Sequence, residues 1–179
     1  MYILSNMEPQ VLTVPELNSS LTGLSLSDKV GSSSDKRFKV DYYRFNYKER
    51  PFLIKIDCER ARISEQFGIT VHDDSFVKFQ ECLRMLFQDP EIVKPINMYK
   101  EHASANFSLN DDTLIKDEMG DHISLKDLLK CYKDIKCKCI VSVFASKFNG
   151  SIRIKYLAKG LIIKEELKST INVEKLLED

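Results

Sequence analysis

The stretch CKCIVSVFASKFNGSIRIKYLAKGLII, residues 137–163, decides the fold. Apolar and polar residues alternate on both sides of Asn149-Gly150. Asn-Gly between such runs is the strongest short-range signal for a β-hairpin, because both central residues of the favoured turn take positive φ. A two-residue loop also fixes the register. Phe148 then faces Ser151, Lys147 faces Ile152, Ser146 faces Arg153, Ala145 faces Ile154, Phe144 faces Lys155 and Val143 faces Tyr156. Successive strand residues point to opposite faces, so the two sides of the ribbon read separately. One side carries Val141, Val143, Ala145, Ile154, Tyr156 and Ala158, a core face. The other carries Ser142, Phe144, Ser146, Phe148, Arg153, Lys155 and Leu157, which mixes rings, hydroxyls and positive charge. Gly160 marks a bulge or bend in the second strand.

Upstream, FKVDYYRFNY from Phe38 is aromatic and β-prone, and FLIKID after Pro51 reads as a second strand. Gly68 to Val71 gives a third, short strand. Asp73 and Asp74 offer an N-cap. In SFVKFQECLRMLF the residues Phe76, Phe79, Leu83, Leu86 and Phe87 recur at helical spacing, and Pro90 ends the helix. Residues 91–103 show no clear period. ANFSL and TLIKDEM read as strands joined through Asn110-Asp111. Ser124 and Asp127 cap a short helix over Leu125, Leu128, Leu129 and Tyr132. Residues 1–36 read as a flexible serine-rich leader, with apolar clusters at Val11/Val14/Leu17 and Leu21/Leu24/Leu26. Residues 37–179 read as one domain ending in an amphipathic helix from Ser169. Several strands, an intervening helix and a long late hairpin point to an α+β protein, a curled sheet or small barrel with inserted helices.

Composition narrows the functional classes. Of 179 residues 43% are hydrophobic, enough for a core, and 27 basic residues balance 27 acidic ones. Any electrostatic attraction must therefore be local. No apolar run is long enough to span a membrane, and the opening MYILSNMEPQ lacks the pattern of a secretory signal. Five cysteines, an odd number, point to a reducing intracellular compartment, cytoplasm or nucleus.

The local charge lies on the hairpin. From Lys138 through Lys164 the chain holds six basic residues (Lys138, Lys147, Arg153, Lys155, Lys159, Lys164) and no acidic one. Aromatic rings stack on unpaired bases of any identity, and basic side chains neutralise phosphate. The candidate single-stranded nucleic-acid surface is Phe144, Lys147, Phe148, Arg153 and Lys155, joined by Tyr42, Tyr43, Arg44, Phe45 and Lys48 from the first β segment. The same rings could instead pack under a helix, and basic residues are common on exposed strands.

Other constellations are weaker. Cys131, Cys137 and Cys139 near His122 contain no CxxC pair, so no zinc site is expected, nor any other cofactor. Asp111-Asp112 reads as a turn rather than a magnesium-binding nuclease pair. No phosphate-binding glycine loop occurs, and no enzyme is expected. An alternative is a protein-interaction or assembly module that uses the leader to hold a partner or a second copy.

RPFLIKIDCERARISEQFGITV together with CIVSVFASKFNGSIRIKYLAKGLIIKE resembles the single-stranded-DNA-binding proteins of large double-stranded DNA viruses. These are oligonucleotide-binding (OB) fold proteins of the replication-protein-A type. Phe67-Gly68, the hairpin from Cys139 to Ile163 and the turn Asn149-Gly150 carry the likeness. Where that family usually has a tryptophan near the hairpin, Phe144 or Phe148 stands in, and Ser64-Glu65-Gln66 replaces its Cys-Pro. The resemblance implies an OB-like barrel and cooperative, non-catalytic coating of single strands in replication or recombination.

Overall fold

The computed structural model describes residues 8–35 and 37–167. The C-terminal helix expected from Ser169 lies outside them. Its central feature is the expected hairpin of β9 (Asp134–Phe148) and β10 (Ser151–Glu166). Asn149 and Gly150 take φ of 48° and 74°, the turn geometry the sequence calls for. The register runs as read, from Ser151↔Phe148 to Tyr156↔Val143. It shifts between Ala158 and Gly160 and again between Ile163 and Glu165, and such bulges bend a long strand.

β9 is too long for one neighbour. From Arg62↔Asp134 to Ile54↔Val141 it pairs with β4 (Phe52–Ser64), and near the turn it pairs with β3 (Phe38–Tyr47). β4 continues into β5 (Gly68–His72), which pairs with β7 (His102–Ser108). β7 meets β10 in parallel. Following these pairings from β4 through β5, β7, β10 and β9 leads back to β4. The ring is OB-like, although the whole sheet is a curled α+β assembly rather than a clean barrel. β6 (Asn97–Tyr99) and β8 (Leu114–Asp117) extend it, pairing with β7 and β10.

Inward residues of the ring form the core, among them Ile54, Ile69, Phe107, Ile135, Val141, Tyr156 and Leu161. Helix α2 (Ser75–Met85) packs Phe76, Phe79 and Leu83 into it, with the Phe76 ring 5.5 Å from that of Tyr156. Helix α3 (Leu125–Cys131) buries Leu128, with Ser124 Oγ accepting from the Asp127 N–H as expected. Gly68 holds the β4–β5 turn. It has φ +70°, and a Cβ there would stand 2.3 Å from the Phe107 carbonyl oxygen.

The leader expectation is corrected for residues 8–35. Gln10–Leu12 forms β1, parallel to the start of β4; Val14–Ser19 forms helix α1; Leu24–Asp35 forms β2, paired with β3. Two causes outweigh the polar composition. Val14, Leu17 and Leu24 are buried, and α1 begins on a capping box in which Thr13 and Glu16 bond reciprocally ahead of Pro15. Asn18 Nδ2 also donates to the Ser75 carbonyl, tying α1 to α2.

Candidate nucleic-acid interface

Strand parity decides which predicted side chains meet. Arg44↔Phe144 and Tyr42↔Ser146 are register partners between β3 and β9, and Phe144↔Lys155 and Ser146↔Arg153 are partners between β9 and β10. Tyr42, Arg44, Phe144, Phe148, Arg153 and Lys155 therefore share the outer face. Phe38 and Val40 have the same parity on β3 and extend that face.

Two depressions lie on it. A groove of about 540 Å³ is lined by Phe38, Val40, Ser146, Phe148, Arg153 and Lys155. The Phe38 and Phe148 rings stand edge to face at 5.5 Å, and they are 53% and 39% exposed. A second depression of about 330 Å³ includes Tyr42, Arg44, Ser142, Phe144 and Lys159. There the Tyr42 and Phe144 rings are tilted, with centroids 6.3 Å apart. Each depression thus offers an aromatic pair beside positive charge.

The basic residues of the ribbon divide by position. Away from the turn, Lys136 pairs with Glu59 at 2.6 Å, and Lys138 and Lys164 approach Asp57 at 3.9 and 3.7 Å. Among the described residues, Arg44, Arg153, Lys155 and Lys159 form no ion pair. Charge neutralised by β4 at one end of the ribbon is left available at the other.

Four of the predicted residues do not join this face. Phe45 is 2% exposed and meets Phe87 edge-on at 6.1 Å. Tyr43 is half-buried against the same ring at 5.9 Å. Both have inward parity on β3 and pack into the core, although they also border the second depression from within. Lys48 sits in the β3–β4 turn at φ 49°, its ammonium over the Tyr47 ring. Lys147 takes the parity opposite to Phe148 and is partnered in register by Asp41. Phe38 and Lys159 were missing from the predicted set. Counting in twos from Arg44 reaches Phe38, but the apolar phase of FKVDYYRFNY flips at Tyr42-Tyr43, so the sequence alone does not single it out.

The thiols make no second site. Cys58, Cys137 and Cys139 are buried within the ring, with Cys137 and Cys139 sulfurs 3.8 Å apart, and Cys131 is exposed. Hydrogen bonding with Cys137, reinforced by burial, pushes the Cys58 and Cys139 thiols well up. Among the described residues no cluster has the geometry to hold a metal ion. No described helix is long and apolar enough to cross a membrane.

No protein-family model and no curated protein matches the sequence. Solved structures give a likeness in outline. The single-stranded DNA-binding protein of bacteriophage Enc34 in complex with single-stranded DNA is 12% identical, with a TM-score of 0.42, over 80% of this chain and 99% of that one. Its C-terminally truncated form gives 11% and 0.41 over 79% and 97%. A further structure of that protein gives 11% and 0.38 over 86% and 100%.

Proposed function

We propose that the outer face of β3, β9 and β10 binds single-stranded nucleic acid, DNA in the first instance, without catalysis. One observation carries the reading. Two aromatic pairs, Phe38/Phe148 and Tyr42/Phe144, lie on the same face as four basic side chains without an acidic partner among the described residues. Rings stack on bases whatever their identity, and the basic groups displace counterions from phosphate. A duplex hides its base faces, so the rings favour an unpaired strand.

Both depressions lie open to solvent, which suits a strand passing over them rather than a substrate enclosed for reaction. Coating of a strand by several copies, as in replication or recombination, belongs to the same proposal. Fluorescence anisotropy of a labelled oligothymidine at two salt concentrations tests it. Binding at low salt that weakens steeply at high salt is expected; no binding at low salt refutes it.

A further inference from the structure

The ring is unevenly paired. β7 and β10 share only Tyr156↔Phe107 and Leu157↔Ser108. Nearer the hairpin turn, β10 leaves β7 and bonds to the segment after α2. Val93 bridges Ile152, and the Lys94 N–H donates to the Ile152 carbonyl at 2.8 Å. The sheet is split between β7 and β10, and a cavity of about 530 Å³ occupies the split. That lies within the usual range of small-molecule sites, about 300–1,000 Å³.

The lining is rich in hydrogen-bond donors. Gln80 of α2 is 5% exposed, and its Oε1 accepts from the Tyr156 hydroxyl at 3.0 Å. Burial pushes the Tyr156 phenol up, so it stays a donor. Asn106 of β7 is held in the same way, its Oδ1 accepting from the Thr70 hydroxyl at 2.9 Å. In both amides the carbonyl oxygen is engaged by a hydroxyl, and the NH₂ donates to no described residue. Both NH₂ groups are left available to whatever enters the cleft, and donors oriented by the hydroxyls that hold their carbonyl oxygens favour a ligand bearing acceptors. Lys94, Arg153 and Lys155 also line the cavity, and no carboxylate does.

We propose that this cleft reads one base of the bound strand by its carbonyl edge, taking thymine or uracil in preference to cytosine. The inference rests on the single-strand reading and names a specificity within it. Thymine and uracil present O4 as an acceptor where cytosine presents the N4 amino donor. Donors fixed by Tyr156 and Thr70 satisfy the first and oppose the second. Arg153 and Lys155 line both this cleft and the Phe38/Phe148 groove. A strand whose phosphates rest on that pair has bases to either side, stacked on rings in one direction and read by amides in the other.

The test is competition binding of the full chain to oligo-dT, oligo-dU and oligo-dC of equal length. Oligo-dU controls for the thymine methyl group. The expected result is dT and dU alike, each about 5-fold tighter than dC, the effect of one hydrogen bond. Asn106→Asp turns a donor into an acceptor that suits the cytosine amino group, so the preference should invert. Asn106→Ala should bring the ratio close to one without adding charge. Because a ratio within each variant is read, a general loss of affinity does not mimic the result. Melting curves confirm that each variant is folded. Equal wild-type affinities for dT and dC, or a ratio unchanged in both variants, overturns the cleft proposal. Failure to bind any oligonucleotide at low salt overturns the single-strand reading beneath it.

Discussion

Removing the charge of Arg153 and Lys155 together, as Arg153→Gln/Lys155→Gln, should change how binding responds to salt. For single strands, each phosphate neutralised contributes about −0.7 to the slope of log affinity against log salt. Arg44, Arg153, Lys155 and Lys159 are the four basic groups lining the depressions that form no ion pair among the described residues. If each meets one phosphate, the slope is about −2.8, and raising salt from about 50 to 200 mM weakens binding about 50-fold. With two of them removed the slope falls to about −1.4 and the loss to about 7-fold. Anisotropy titrations across that range measure both slopes. The matched control is Lys138→Gln/Lys164→Gln, which removes the same charge from side chains already near Asp57 at 3.9 and 3.7 Å. Its slope should stay near that of the wild type. Equal slopes for the groove variant and the wild type, or equal reductions in groove variant and control, would refute the assignment of phosphate to this face.

Phe148→Ala should weaken oligothymidine binding by about 1–3 kcal/mol, the usual worth of one stacked base, and leave the salt slope unchanged. Phe45→Ala is the contrasting case. It should destabilise the fold by about 3–5 kcal/mol in denaturant titrations, and the fraction still folded should bind normally. Gly68→Ala should cost at least about 2 kcal/mol, because it combines a left-handed residue with a clash against the Phe107 carbonyl, and its melting temperature reports this. The Asp74 carboxylate is held below its ordinary range by the Ala103 N–H and then by His102. A depressed acid stabilises the fold above its unfolded value, about 4, and that contribution is lost as pH falls through the folded value. Asp74→Asn should therefore melt below the wild type at neutral pH, with the two curves converging in acid.

How far the sequence reveals this fold depends on how local each cause is. The hairpin was legible down to single residue pairs because Asn149-Gly150 and the flanking alternation lie within one short window. Residues 8–35 were misread because their order comes from elsewhere. The serines of β2 form a strand by pairing with β3, and Leu17 is buried where α1 meets α2. A local cue did exist in Thr13-Val14-Pro15-Glu16, the start signal of α1. The first β segment shows the same limit inside a correct assignment. Its aromatics are evident, but only the pairing of Tyr42 and Arg44 with β9 tells which of them face outward.

The cleft marks where local reading stops. Gln80 looks like a polar interruption in a helical stripe, and Asn106 like any strand amide. Neither has a neighbour in sequence that gives it a role. They line one cavity because Val93 and Lys94 take the place beside Ile152 that β7 would occupy in an evenly closed ring. The stretch without periodicity, residues 91–103, is thus the one that opens the sheet. Within it β6 pairs with β7 and not with β10, and where Val93 and Lys94 take the place of a strand beside β10, Gln80 of the helix behind the sheet comes to line the cavity. If the amide cleft reads a base, its specificity arises from this break in regular structure, while the regular face of the hairpin supplies affinity that is indifferent to base identity.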